Sequence, residues 1–232
     1  MKKLIALLLV LCLVFSFAAC GNTPDDDDDV RGSVVSDEDK DDKDDKDDEE
    51  EEEKEFSQGK HDTTKYENEF IGLGVKIPDD WNFYTDEQMK ELNNLTEDYY
   101  SEEAKEAIEN ADLIYDMFAS NADGSNNINI VLEKHTVLKV AAMDLKKEVP
   151  AAFDAMKESY ENMGAISFTA EMGELEIDDE KFITADYMTG FNGVTLYQRQ
   201  IFVKCGKYLA TITVTATTSV ELEKLSESFY LV

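Results

Sequence analysis

From Tyr208 to Thr217 the chain alternates strictly. Tyr208, Ala210, Ile212, Val214 and Ala216 fall on one face, and Leu209, Thr211, Thr213, Thr215 and Thr217 on the other. This is the two-residue period of a strand. Threonine suits a pleated, half-exposed surface, so the second face is expected to meet solvent. Three strand-like runs precede it: Ile166 to Ile177, with a break placed at Gly173, then Lys181 to Thr189, then Val194 to Lys204.

The period changes between Val149 and Met163. Val149, Phe153, Met156, Tyr160 and Met163 recur at steps of four and three, the buried stripe of a helix. Pro150 sits near its start, where the missing amide hydrogen is harmless, and Gly164 ends it. Thr218 and Glu221 form a capping box that opens a last helix, with Leu222, Leu225 and Phe229 facing the core.

The earlier part reads the same way. "YENEFIGLGVKIPDDWNFYT" predicts two strands, with a turn at Gly72 or Gly74 and a stop at Pro78-Asp79-Asp80. Trp81 is expected to pack against the sheet edge. Thr85 and Gln88 form a second capping box, followed by Met89, Leu92 and Leu95 on one helix face. A short helix is expected from Glu102 to Ile108. "DLIYDMFAS" and "NNINIVLEKH" form a hairpin around "NADGSN", sharpest at Asp123-Gly124. Ile128, Ile130 and Leu132 face one way, and Asn127, Asn129 and Glu133 mainly the other. The Asn-rich loop reads as a turn before it reads as a metal or sugar site. The element order is β-β-α-α-β-β-α-β-β-β-β-α. Hairpins dominate, so the fold class is α+β, an antiparallel sheet with helices packed on it. The two-helix insertion and the last helix are expected on different faces.

Composition changes the picture at the N-terminus. Met1-Lys2-Lys3 leads into an apolar run, Leu4 to Ala19, the basic-then-hydrophobic layout of a secretory signal. The run is shorter than a bilayer span needs. Phe17-Ala18-Ala19-Cys20 resembles the lipobox of bacterial lipoproteins, with Phe17 where an aliphatic residue is usual. The resemblance implies lipidation at Cys20 and removal of residues 1–19. The alternative is a plain secreted chain cut after Ala19. A diacylglycerol carries two chains, which stable anchoring takes.

Residues 21–60 hold 20 acidic against six basic side chains. Such a segment cannot bury enough apolar surface to offset its ordering, and its like charges repel and extend it. Residues 20–62 are therefore assigned as a disordered acidic linker, and 63–232 as one domain. At roughly 3 Å per residue the linker reaches up to ~100 Å from a membrane. The formal net charge of −31 has the wrong sign for nucleic acid. Residues 61–232 carry 33 acidic and 14 basic side chains. A partner is expected to be basic, an envelope or extracellular protein. The carboxylate run lacks the glycine and graded spacing of a calcium loop.

Candidate chemistry is sparse. His61 stands at the linker end and His135 at a strand end beside Lys134; neither belongs to a metal-ligand or catalytic motif. No metal and no cofactor is expected. Of the cysteines, Cys205 alone is left for the domain, expected partly exposed between Lys204 and Lys207 with no adjacent base to activate it. A paired-carboxylate hydrolase acting on carbohydrate or envelope is the alternative to a binding domain, with Asp186 and Glu176 the least surface-like acids; it needs one acid raised in a cleft. A solute receptor needs two lobes, and this domain is small for that. Tyr99, Tyr100, Tyr115, Tyr187 and Tyr197 would mark a protein or sugar patch if they shared a solvent face.

"YENEFIGLGVKIPDDW", "NINIVLEK" and the closing strand pair with its helix resemble small lipoproteins of gut Firmicutes, with the PsbP/Mog1-like fold. The resemblance spans most of residues 66–231 and rests on Tyr66, Asn68, Phe70, Gly72, Pro78 and Trp81. It implies structural roles for these six and a domain that docks on protein partners without catalysis. The expectation is therefore a lipoprotein held at Cys20 on the outer face of the cell membrane, carrying a binding domain.

Overall fold

A computed structural model describes residues 55–85, 87–89 and 113–232. In order, its elements are β1 (Lys60–His61), β2 (Lys65–Asn68), β3 (Leu73–Lys76), β4 (Asn82–Phe83), β5 (Leu113–Ser120), β6 (Asn127–Lys134), α1 (Val137–Ala142), α2 (Leu145–Ala151), α3 (Phe153–Asn162), β7 (Ser167–Ile177), β8 (Glu180–Phe191), β9 (Val194–Cys205), β10 (Tyr208–Ala216), α4 (Ser219–Ser226) and β11 (Phe229–Leu231). The strands form two antiparallel sheets, β1-β2-β3-β11 and β4-β5-β6-β10-β9-β8-β7. The fold is α+β, mostly strand. The lipobox, most of the linker, Leu92, Leu95, the helix expected at 102–108, Tyr99 and Tyr100 lie outside the described residues.

β10 is the middle strand of the large sheet. Its even face joins Ile128, Ile130, Leu132 and Ile201 in the main core, where the small sheet and α4 pack with Tyr66, Leu73, Val75, Leu222 and Leu225. The odd face of the same sheet meets a second cluster, in which Leu145, Val149, Met156 and Tyr160 of α2 and α3 lie on Ala185, Tyr187, Leu196 and Phe202. Each fully buried aliphatic or aromatic side chain contributes roughly 1.5–3 kcal/mol. α3 and α4 therefore cover opposite faces of the large sheet.

Four expectations change. Thr211, Thr213 and Thr215 are 5%, 0% and 0% exposed, because a central strand covered on both faces has no solvent side. The helix expected over 149–163 is two. Pro150 falls in the last turn of α2, where its missing N–H breaks the ladder; the Ala152 amide turns back to the Val149 carbonyl at 3.1 Å and α3 restarts at Phe153. Phe229 leaves the last helix and starts β11, pairing with Val75. Packing also reaches into the acidic stretch: Phe56 meets Phe70 and Tyr208 at 5.5 and 5.2 Å between ring centroids, and β1 pairs with β2 ahead of Thr63.

The local signals hold. The Thr85 hydroxyl accepts from the Gln88 amide at 3.3 Å and the Gln88 side chain accepts from the Thr85 amide at 2.9 Å. Thr218 accepts from the Glu221 amide at 3.1 Å. Asn68 caps the β2–β3 turn, its Oδ1 accepting from Phe70 and Ile71 amides at 2.8 and 3.2 Å, and Gly72 takes the positive φ of 74° that ends it. Trp81 is buried beside the edge strand β4.

Candidate functional site

Two gatherings of polar side chains among the described residues lie on opposite faces of the large sheet. The first is a pocket of about 360 Å³ between β7, β8, β9 and α4. Register builds it. Glu171 on β7 faces Asp186 on β8, and Asp186 faces Arg199 on β9. The Arg199 guanidinium donates from Nε and Nη2 to the two Asp186 oxygens, both at 2.8 Å. It also donates from Nη1 and Nη2 to the Glu223 carboxylate on α4, at 3.0 and 2.9 Å. This fork geometry is what guanidinium offers carboxylates. The Arg199 side chain is 11% exposed and Glu223 is 58% exposed. The bond to Asp186 raises the Arg199 pKa against the opposing effect of burial. The same guanidinium holds the Glu223 carboxyl below its ordinary range. Glu171 is exposed at the rim. Tyr197, the exposed Met188 and Leu222 line the remaining wall. Three carboxylates and one cation thus line the pocket, leaving an acidic excess on partly apolar walls.

The second place is a polar band on the face that carries α3. Along one register row stand Ser120, Asn127, Thr215, Gln198 and Tyr187; along the next, Phe118, Asn129, Thr213, Gln200 and Ala185. Asn127, Asn129, Thr213, Thr215, Gln198 and Gln200 are at most 1% exposed. The Tyr160 hydroxyl of α3 donates to Gln198 Oε1 at 2.7 Å, and the Tyr187 hydroxyl to Gln200 Oε1 at 2.9 Å. Gln198 Nε2 donates to the Thr215 hydroxyl at 3.1 Å. Both amide atoms of Asn127 and of Asn129, and the hydroxyls of Thr189 and Thr213, have no hydrogen-bond partner among the described residues. Leaving such buried groups unpaired costs about 1–3 kcal/mol each. Phe168 stacks on Tyr160 at 5.3 Å and on Tyr187 at 6.1 Å.

A larger pocket, about 530 Å³, lies beside the end of β11 and is lined by Ile71, Phe182, Phe202, Lys181, Lys204 and Leu231 among others. Lys204 is engaged there, donating to the Met143 carbonyl and, at 3.4 Å, to that of Ala141.

The residues singled out from sequence scatter. Asp186 is held by Arg199. Glu176 is exposed and pairs in register with Lys181. Glu171 shares Asp186's face, and Glu176 lies five residues along β7, hence on the opposite face. The sheet does not bring the two acids together. Cys205 is buried rather than partly exposed, its thiol near the Tyr208 carbonyl at 3.6 Å, and burial pushes it up to about 12. His61 stacks on Phe83 at 4.5 Å. His135 lies 3.3 Å from Glu133 and 3.2 Å from the Lys139 ammonium; burial, then Lys139, lowers its pKa. No group of three or more His, Cys, Asp or Glu placed to hold a metal ion occurs among the described residues. Tyr115 and Tyr187 face one side of the sheet and Tyr197 the other, so they form no shared patch. Sequence reading missed Arg199 and Glu223. It also missed the band, whose signal was amides spaced by two on β6 and again on β9.

No family model matches the chain, and no curated protein matches it. Among solved structures it is similar to a protein of Bacteroides thetaiotaomicron, at 13% identity and a TM-score of 0.35, over 73% of this chain and 48% of that one. The chain thus spans about half the length of that structure. It is also similar to a Pseudomonas aeruginosa protein of unknown function, at 16% identity and a TM-score of 0.25, over 49% of this chain and 72% of that one. Similarity at this level assigns no function.

Proposed function

We propose that this chain is a lipid-anchored surface protein of the cell envelope, joined at Cys20 through its acidic linker to a domain that binds and does no chemistry. Its partner is a protein that presents a basic side chain to the pocket around Arg199. The observation carrying this reading is that pocket: Arg199 is paired with Asp186 and Glu223, and Glu171 lines the same cleft beside Asp186 with no cation paired to it there among the described residues, so an acid is left over at the rim of a cleft with partly apolar walls. A lysine or arginine entering it gains a carboxylate partner and buries its stem on Tyr197 and Leu222. The surrounding excess of acidic side chains favours the same encounter over distance. Kinship with the PsbP/Mog1-like fold, whose members dock on proteins, belongs to this proposal. Of the two acids weighed for a hydrolase, Asp186 is tied to Arg199 and Glu176 lies on the opposite face of β7, so these two are not brought together.

The test uses the mature chain, with Cys20→Ala to free it from lipid, against solubilised envelope proteins at low and high salt. Glu171→Lys reverses the rim charge without touching the Arg199 pairs. Asp80→Lys makes the same change beside β4, at the opposite sheet edge. Proteins retained by the parent and by Asp80→Lys, released by salt and lost in Glu171→Lys, support the reading. Equal loss in both variants would reduce it to general charge, and retention by both would remove the pocket from the account. The anchor is tested separately, by labelled fatty acid on the intact chain, with Cys20→Ala expected to abolish labelling and membrane fractionation.

A further inference from the structure

We infer that β7 is a docking edge, to which an extended segment of a basic partner protein adds as a further strand of the large sheet. The inference rests on the reading of the Arg199 pocket and says how the partner is held beside it. β7 ends the seven-stranded sheet, and among the described residues it pairs only with β8. An edge strand turns alternate amides and carbonyls outward, unpaired. Folded proteins keep such edges short, bulged or interrupted by proline. The edge strands β4, β1 and β11 are two, two and three residues long. β7 is eleven residues long and contains no proline, and its register with β8 runs from Ser167 to Ile177 without a shift.

The two faces of β7 define the segment that fits. Thr169 and Glu171 are exposed and line the pocket that holds Arg199. Phe168, Ala170 and Met172 alternate with them on the opposite face, half-buried at the margin of the cluster that includes α3. A strand laid against β7 stands about 4.8 Å away, and its side chains fall opposite those of β7, ~5 Å apart at Cβ. A lysine or arginine across from Glu171 pairs with it and lies over the pocket rim. The next residue turns to the other face and, if apolar, covers the row from Phe168 to Met172. The segment therefore alternates basic and apolar residues. Main-chain bonds to the edge supply affinity and the alternate side chains supply specificity. Charge decides against a second copy: β7 carries Glu171, Glu174 and Glu176 and no basic side chain, so two copies edge to edge set acid near acid. Glu174 has a cation in Lys146, 3.1 Å away, and Glu176 faces Lys181 in register, which leaves Glu171 for the partner.

The test is calorimetric titration of the full chain, carrying Cys20→Ala, with a peptide of about eight residues that alternates lysine and valine. Two control peptides have the same residues and charge. One has its lysines and valines in separate blocks, and the other carries N-methyl groups on its central amides along both edges. Attraction to the acidic linker is the same for all three. Binding of the alternating peptide at least tenfold tighter than either control, with slowed hydrogen exchange at alternate amides between Thr169 and Gly173, supports strand addition. No binding, or equal binding of the N-methylated peptide, overturns it. So does a chain that sediments as a dimer with those amides already protected, which would give the edge to a second copy. Glu171→Lys separates the two readings. If the alternating peptide binds this variant unchanged and still exceeds its N-methylated form, the edge stands and the pocket falls. If both peptides bind equally and both are lost in Glu171→Lys, the pocket stands and the added strand falls.

Discussion

The Tyr66 hydroxyl of β2 donates to the carboxylate of Asp116, fifty residues further along the chain. Asp116 sits at the bulge of β5, where register shifts between Tyr115 and Met117. A bulge re-aims one side chain, and here it turns an acid from the large sheet towards the small one. Asn68 Nδ2 donates to the same carboxylate at 2.7 Å and the Gly59 amide at 3.1 Å. Burial and the neighbouring Asp116 both raise the Tyr66 pKa.

Tyr66→Phe should therefore lower stability by about 1–3 kcal/mol, the cost of a lost bond to a charged acceptor. Denaturant titration measures it. The substitution also has a pH signature. Tyr66 ionises in the unfolded chain near pH 10 and resists ionisation when folded, so its contribution is complete below pH 10 and falls as pH rises beyond it. The alkaline limb should be shallower in Tyr66→Phe; an unchanged limb would mean the hydroxyl is not held as described.

Arg199→Met keeps the apolar stem and removes the fork. Asp186 then stands beside Glu171 without its cation, and stability should drop by about 1–2 kcal/mol, limited by the exposure of both carboxylates. Arg199 holds the Glu223 carboxyl below 4.5. That contribution is present above the unfolded value of about 4.5 and is lost as pH falls through the lower folded one. Glu223→Gln should flatten the acid limb below pH 4.5, seen in melting curves from pH 6 to 3.

The β7–β8 turn places Asp178 and Asp179 at φ of 47° and 71°. Two positive values suit a two-residue hairpin and disfavour side chains. Asp178 has a compensating contact, its Oδ2 accepting from the Leu231 amide at 2.8 Å. Asp179→Gly should leave the melting temperature unchanged or raise it, by up to ~1 kcal/mol in stability. Asp178→Gly relieves the same strain and loses β11's contact, so it should melt below Asp179→Gly. The reverse order would show that the Leu231 contact contributes little.

Cys205 should resist thiol reagents at pH 8 in the folded chain and react at the rate of unfolding. With its thiol raised from about 9 to about 12 by burial, it favours the folded state below pH 9 and loses that effect towards pH 12. Fast labelling of native protein would contradict the burial.

Local features were legible where neighbours in sequence satisfy one another. The Thr85–Gln88 capping box closes in both directions, and Thr218 caps the Glu221 amide, each within three residues. The β5–β6 turn forms at Asp123-Gly124, with Gly124 at a φ of 73°. The β10 alternation is a property of the strand itself. Phe229 failed as a helix residue because apolar spacing at steps of three and four does not say whether the chain continues to coil; pairing with β3 decided it. Pro150 misled because its fixed φ suits a helix start, while the absent N–H also ends one.

By itself the sequence determined the strand period, the hairpin turns, the caps, the acidic excess and the short apolar run that precedes Cys20. Each depends on residues close together in the chain or on simple charge. Only the tertiary structure decided that the threonine face of β10 is buried, that Asp186 belongs to Arg199 and Glu223, and that Asp116 belongs to Tyr66. A strand's alternation names two faces but not what covers them. A carboxylate's partner can lie fifty residues away, where only the packing of sheet on sheet brings it within reach.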